Sequence, residues 1–175
     1  MCELVTERLL LRRFRMADAE KVAAICDDMD VYRRTLALPH PYTGECARAW
    51  IAGHDGNFRD GTFFDFAVCG RQNGELYGCV GLVHNVKEGN AEIGYWVGKP
   101  YWNRGIATAA ARALIDWAFT VKRYHKIAGR HFATNPASGR VMDKCGMVRE
   151  EYMKEHIFRA GRYEDVVCYG IINPK

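Results

Sequence analysis

Several things are scarce in this sequence, and each scarcity excludes something. Only five of the 175 residues are proline, and no repeat or low-complexity tract interrupts the chain, which excludes collagen-like and disordered classes. The seven cysteines (Cys2, Cys26, Cys46, Cys69, Cys79, Cys145 and Cys168) are odd in number, scattered, and contain no CxxC pair. A zinc site or a secreted disulfide framework needs closer, paired spacing, so they read as mostly buried free thiols of a reduced compartment. His40, His54, His84, His125 and His131 show no ligand spacing, and no metal is expected. The most apolar helical stretch, Ile106 to Val121, carries Arg112 and Asp116 and is too short and too charged to span a bilayer. Met1 to Phe14 alternates charges with leucines, unlike a signal peptide. A cytoplasmic protein with no membrane partner is the expectation. Charge of one sign is also in short supply: Lys plus Arg number 25 against 21 Asp plus Glu, an excess of +4. That falls short of a nucleic-acid-binding stripe but suits a phosphorylated ligand.

What the chain does have is an ordinary globular composition, 49% hydrophobic and 26% charged, and residues 1–175 are read as a single domain. Leu4 to Phe14 predicts an edge strand. Val22, Ile25, Cys26 and Met29 recur at i, i+3, i+4 and i+7 and predict one helix. Past Pro39-His40-Pro41, Thr43 can cap a second helix whose apolar face is Ala47, Trp50, Ile51, His54 and Phe58. Phe64, Phe66 and Val68 alternate, and Asn73-Gly74 turns them into a hairpin with Leu76–Val83. A third strand, Ala91–Val97, puts Ile93, Tyr95 and Val97 on one face and Glu92, Gly94 and Trp96 on the other. After the turn Gly98 to Gly105, a helical stripe runs through Ile106, Ala110, Ala113, Leu114, Trp117, Ala118 and Val121. Lys126 to Thr134 predicts a strand, and Asn135-Pro136 opens a short helix that Gly146 stops, with Ala137, Val141 and Cys145 on one side. Val148–Phe158 and Tyr163–Ile172 form a last hairpin around Ala160-Gly161. The class is α/β (of α+β type): a mixed, mostly antiparallel sheet of about seven strands with about four helices packed on it.

Two stretches carry candidate chemistry. In Val97 to Thr108, a helix begins just after Gly105, and a helix N-terminus offers unpaired N–H donors and the positive end of the peptide dipoles, which suit phosphate. Gly105 and Ala107 leave room for a ligand, and Arg104 and Thr108 can add contacts. The same residues also read as a glycine turn that simply starts a helix. No Walker A pair or full GxGxxG is present, which disfavours an NTPase or dinucleotide fold. In Asn135 to Met147, Asn135 is a candidate N-cap and Ser138 can satisfy the same helix end.

Taken together, in this order and at this distance, the two stretches resemble the GNAT N-acetyltransferases. Trp102-Asn103-Arg104-Gly105-Ile106-Ala107 stands where that family has its pyrophosphate loop, with Trp102 in place of Gln or Arg. The aromatic, Thr6-Glu7-Arg8-Leu9-Leu10-Leu11-Arg12, Ala91-Glu92-Ile93-Gly94-Tyr95-Trp96, Asn135-x-x-Ser138 with Lys144-Cys145-Gly146-Met147, and Gly161-Arg162-Tyr163-Glu164-Asp165 resemble its RimJ/RimL branch of ribosomal-protein N-terminal acetyltransferases. The resemblance implies a splayed central strand pair and acetyl-CoA in the wedge. It implies transfer of acetyl to a primary amine, either a protein N-terminus (ribosomal in that branch) or a small molecule, by direct attack in a ternary complex. A module that binds acyl-CoA without catalysis is the alternative.

The resemblance also distributes roles. Trp96, Val97, Trp102, Asn103, Arg104, Gly105, Ile106, Ala107, Thr108, Asn135, Ser138, Arg140 and Lys144 would hold the cofactor, with a backbone N–H near Val97 facing the acetyl carbonyl. Ser138 would protonate the leaving thiolate. Glu92, on the face shared with Trp96, is the first choice for a base; its other reading is a carboxylate paired with an arginine. A glutamate and a tyrosine that some relatives use fall on Arg130 and Met142, and a RimL-type carboxylate falls on Ile157, flanked by Glu155 and His156. His156, whose imidazole can take up or give a proton, is the second choice. The acceptor mouth is expected among Tyr32, Arg33, Arg34, His40, Tyr42, Trp50 and His54, with Trp50 favoured as core. A monomer or homodimer that takes no nucleic acid is expected.

Overall fold

The computed structural model describes residues 3–85 and 88–174. Its strands are β1 (Leu4–Val5), β2 (Leu9–Arg13), β3 (Phe63–Gly70), β4 (Leu76–Asn85), β5 (Asn90–Val97), β6 (Lys126–Phe132), β7 (Val148–Arg159) and β8 (Arg162–Ile172). The helices are α1 (Ala19–Cys26), α2 (Met29–Arg34), α3 (Gly44–Asp60), α4 (Ile106–Thr120) and α5 (Pro136–Lys144). One open sheet of eight strands runs in the order β1-β2-β3-β4-β5-β6-β8-β7. Every neighbouring pair is antiparallel except β5 and β6, which are parallel and joined through α4.

Local chemistry overrode the sequence pattern in three places. Leu4 to Phe14 is two strands, because Thr6 makes a tight turn: its amide donates to the Leu9 carbonyl and its hydroxyl accepts from the Leu9 amide, each at 2.9 Å. That turn is why the sheet has eight strands where about seven were expected. The helix expected across Val22 to Met29 breaks in two. The Asp28 carboxylate accepts from the amides of Asp30 (2.8 Å) and Val31 (3.3 Å), so it caps a new helix and leaves Met29 exposed. In α5 the fully buried positions are Gly139 and Met142; of the expected face, Val141 and Cys145 pack half-buried against the core and Ala137 is exposed. Met142 wins that face because Gly129 on β6 makes room for it; a Cβ at Gly129 would lie 3.1 Å from the Met142 Cε.

Two cores sandwich the sheet. On one face, Ile106, Ala110, Leu114, Trp117 and Ala118 of α4 pack on Leu9, Leu11, Phe64, Phe66, Val80, Leu82 and Ile93, with Met142 of α5 beside them. On the other, Val22, Ala23 and Cys26 of α1 and Ala47 and Ile51 of α3 pack on Ala67, Cys69 and Cys79, with Trp50 and Trp96 at the margin. Alternation along β5 therefore sends Ile93 and Val97 toward α4, and Glu92, Gly94 and Trp96 toward the α1–α3 side. Trp50 is packed against Phe14 and His54, with ring centroids 4.9 and 4.4 Å away, so its core reading agrees with the packing. No helix among the described residues is long and apolar enough to cross a membrane.

The end of β5 is set by how closely β4 approaches it. A Cβ at Gly78 would fall 2.1 Å from the Trp96 carbonyl oxygen and 2.9 Å from the Val97 Cα, both backbone atoms that cannot swing aside. Gly78→Ala should lower stability by about 2 kcal/mol and the unfolding midpoint by roughly 4–8 °C, measured by thermal denaturation.

Candidate functional site

The parallel pair β5–β6 is joined over only three positions, Ala91 with Ile127, Glu92 with Ala128 and Ile93 with Gly129. Beyond Ile93 the strands part: β5 follows β4 as far as Val97, and β6 follows β8 as far as Phe132. Into the gap opens a cavity of about 330 Å³. Its walls come from the end of β5 (Tyr95, Trp96 and Val97), the start of α4, α5 and its approach, and α2.

The α4 end of the cavity is built for an anion. Asn103 and Gly105 both take left-handed backbone conformations (φ of 60° and 75°), and Gly105 is the N-cap. No side chain caps the helix, so its first N–H groups face the cavity past Gly105, Ile106, Ala107 and Thr108, all of which line it. A Cβ at Gly105 would touch nothing within 4 Å, because it would stand in open space. Trp102 is fixed beside this turn: its indole N–H donates to the Val97 carbonyl at 2.6 Å, and the Arg34 guanidinium lies 4.9 Å from the centroid of its ring. Arg34, Arg140 and Lys144 supply cationic side chains to the same walls.

At the opposite wall the gap is bridged by one contact. The Tyr95 hydroxyl lies 2.8 Å from the Ser138 Oγ and 2.9 Å from the Ser138 carbonyl oxygen. Burial pushes the Tyr95 phenol well above its ordinary pKa, so it stays a proton donor. With the phenol proton donated to the Ser138 carbonyl, the serine hydroxyl donates to the Tyr95 oxygen; with the phenol turned to the Oγ, the serine proton is released toward the cavity. Ser138 is thus held by a strand, and the Asn135 side chain makes no capping bond either. Asn135 Nδ2 instead donates to the Arg34 carbonyl at 3.4 Å, tying α5 to α2.

A sheet whose one parallel pair splays beside an uncapped helix start is shared with a known family, whose model, an acetyltransferase (GNAT) domain, matches residues 8–148. The chain belongs to the GNAT acetyltransferases. It is 31% identical over 171 residues to an uncharacterized N-acetyltransferase, YnaD, of Bacillus subtilis, an alignment covering 97% of this chain and 96% of that one. A crystal structure of a GNAT-family acetyltransferase from Bacillus anthracis superposes with a TM-score of 0.89 at 29% identity, covering 99% and 100% of the two chains. A RimL ribosomal L7/L12 acetyltransferase solved with coenzyme A has the same fold, with a TM-score of 0.88 at 19% identity and 98% of each chain covered.

In this GNAT chain the structure brings together most of the residues singled out from sequence. Trp96, Val97, Trp102, Asn103, Gly105, Ile106, Ala107, Thr108, Asn135, Ser138, Arg140 and Lys144 all line the cavity. Arg104 does not; it is exposed, with its guanidinium 5.8 Å from the centroid of the Tyr101 ring. Glu92 stands outside the lining and accepts from Arg130 Nε at 2.7 Å, which is its arginine-paired reading. His156 is exposed on β7, within the irregularity between Met153 and Ile157. Sequence reasoning missed Val31, Thr35, Tyr95 and Tyr101 as lining residues and placed Arg34 at the acceptor mouth. The signal for α2 was present: an aspartate at position 28 with donors two and three residues on.

Helix α2 is clamped over the cavity. Asp30 pairs with Lys99 at 2.6 Å and Arg34 at 3.0 Å, which lowers its carboxyl to a pKa of about 2. From the far end of the sheet, Arg159 Nη2 donates to the carbonyls of Tyr32 (3.0 Å) and Leu38 (2.7 Å), with its guanidinium 4.0 Å from the centroid of the Tyr32 ring. Among the described residues no group of three or more His, Cys, Asp or Glu could hold a metal.

On the α1–α3 side lie two buried titratable groups, His54 of α3 and Asp65 of β3, whose Nε2 and Oδ2 are 3.7 Å apart. Burial, with Arg13 adding to it, pulls His54 down to about 4, and burial pushes Asp65 up to about 6. The two shifts act oppositely on stability. His54 favours the fold above its unfolded value of about 6.5 and loses this as pH falls toward 4; Asp65 favours it below about 3.9 and loses this as pH rises through 6. Each is on the order of 2 kcal/mol, so they offset one another on acidification. Asp65→Asn should therefore lose stability more steeply than wild type between pH 6.5 and 4, and His54→Phe less steeply, in urea unfolding at a series of pH values.

Proposed function

We propose that the chain is an acetyl-CoA-dependent N-acetyltransferase that moves an acetyl group to a primary amine in a ternary complex. The observation that carries this reading is the splay of β5 from β6 between an uncapped helix start and a tyrosine-held serine. Acetyl-CoA supplies an activated acetyl thioester. The α4 N-terminus, with Arg34, Arg140 and Lys144, suits its phosphates, and the gap edged by Val97 and Asn135 suits an extended amide-bearing arm. Backbone N–H groups freed at the end of β5 are donors for a carbonyl oxygen that gains negative charge. Ser138 Oγ holds the proton for the leaving sulfur, and Tyr95 orients that hydroxyl. Asn103, Ile106 and Thr108 shape the turn.

The acceptor enters from the α1–α3 side, where Glu92 and Trp96 face. Similar chains include proteins named for both kinds of acceptor, a ribosomal protein uS5 alanine in Escherichia coli and spermidine in Vibrio cholerae. An α-amine, with a pKa near 7.7–8.0, is neutral more often at pH 7 than a lysine near 10.4 and needs less help from a base. Glu92 is the carboxylate on that face closest to the splay, and His156 the alternative on the outer strand.

Gly105→Val should raise the Kd for CoA by at least about 100-fold, since the new side chain fills the space in front of the helix start and the backbone there is left-handed. Calorimetry checks this, and retained affinity would show that the helix start is no phosphate site. Ser138→Ala should lower kcat by about 10–100-fold with CoA affinity little changed, read from thiol release with a panel of amines. Binding of CoA without turnover for any amine would leave the non-catalytic reading.

A further inference from the structure

Across the middle of the sheet, on the α1–α3 side, three residues form one row: Asp65 on β3, Gly81 on β4 and Gly94 on β5. Gly94 is exposed, and a Cβ there would touch nothing within 4 Å. A Cβ at Gly81 would fall 2.0 Å from Asp65 Oδ1, so the carboxylate leans across that glycine, along the row and toward the strand at which the wedge opens. A glycine in a strand interior carries an entropic cost, and at Gly81 the close approach of Asp65 explains it, while Gly94 leaves open space at the end of the row.

The carboxylate has no hydrogen-bond partner. Among the described residues no hydrogen-bond donor reaches it, although its side chain is only 20% exposed. His54, its nearest basic neighbour, is beyond hydrogen-bond reach at 3.7 Å, and neither ring nitrogen of that histidine has a hydrogen-bond partner. Arg13 of β2 is engaged elsewhere, paired with Asp55 of α3 at 2.5 Å and lying 4.4 Å from the centroid of the Phe58 ring. The buried Cys79 thiol of β4 is pushed far up by burial and carries no charge. On β6, Arg130 is taken by Glu92. Aromatic rings stand on the same side: Trp50 against His54, and Trp96 with its ring centroid 6.3 Å from that of Trp50. A mostly buried carboxylate without a hydrogen-bond donor, on the side of the sheet that carries Trp50 and Trp96, is a receptor for a cation.

We propose that Asp65 is a specificity-determining residue that holds a second positive charge of the acceptor, selecting amines that carry a cationic group besides the one acetylated. This rests on the acetyl-transfer reading above. The reacting amine must reach the end of β5, and Asp65 stands two strands across from Gly94 and three residues back from Val97, roughly 14 Å between backbones. The cation at Asp65 is therefore a different one. The Asp65 side chain leaning over Gly81 takes up part of that span and the acetyl group at the other end another part, so a diamine with several carbons between its nitrogens has the reach.

The test compares 1,5-diaminopentane with pentylamine at pH 8, following CoA release from acetyl-CoA by wild type and Asp65→Asn. The wild type should prefer the diamine by at least about tenfold in kcat/KM, mostly through KM, and the substitution should reduce that ratio to within about threefold of unity. A ratio unchanged by the substitution, or a wild type without the preference, overturns the assignment of Asp65 while leaving acetyl transfer intact. Failure of the wild type to acetylate either amine while still binding CoA overturns the assignment of Asp65, and turnover with the wider panel of amines then decides acetyl transfer. A readout without turnover is the unfolding midpoint of the CoA complex: the diamine should raise it in wild type and not in Asp65→Asn, and an equal rise in both overturns the proposal. The variant itself should unfold at a higher temperature than wild type at pH 8, because it no longer buries an unpaired charge; a lower midpoint counts against the carboxylate being free.

Discussion

The rest of the molecule depends on where one parallel ladder stops. A strand pair buried between two layers of helices normally keeps bonding to the end of the shorter strand, because unpaired backbone groups away from water are costly. Here β5 and β6 stay paired for three residues and then separate. Each strand keeps its outer neighbour, β4 for one and β8 for the other, so the sheet remains continuous while its middle opens. What lies between is a set of main-chain donors and acceptors that a ligand can satisfy.

The surrounding elements hold that opening at a fixed width. Gly78 lets β4 press against the backbone at Trp96 and Val97, which sets one edge. Met142 sits over Gly129 beneath the other edge, and the hydroxyls of Tyr95 and Ser138 join the two across the gap. Helix α4 begins at the mouth with a glycine in a conformation that other residues resist, so the space before its first turn stays clear. Small residues at the close approaches and one polar bridge thus do the shaping, with no disulfide among the described residues.

Much of this was legible in the sequence, and the parts that were not share a cause. The alternation of Ile93, Tyr95 and Val97, the stripe on α4 and the glycine turns at Gly74 and Gly146 all come from periodicity and local conformation, which a sequence displays directly. The helix-start residues followed from the same reasoning. Asp28 was harder, because a capping carboxylate competes with an apolar period that runs straight through it, and only the hydrogen bonds show which prevailed. Arg104 and Glu92 fell outside the cavity lining because spacing along the chain fixes a face but not what the far end of a long side chain finds; Glu92 found Arg130. Asp65 left no pattern at all. Its significance arises from Gly81 and Gly94, which lie far from it in sequence and meet it only through the register of three strands.

The clamp on α2 has a mechanical meaning. This short helix is a party wall: Arg34 and Thr35 look into the cavity, while Tyr32 lies under the arginine that ends the outer ribbon of β7 and β8. A push on the ribbon's tip is therefore passed through Arg159 to the helix and on to the indole of Trp102, which leans on Arg34. Six residues of helix thus tie the wall of the cavity to the outer ribbon of the sheet.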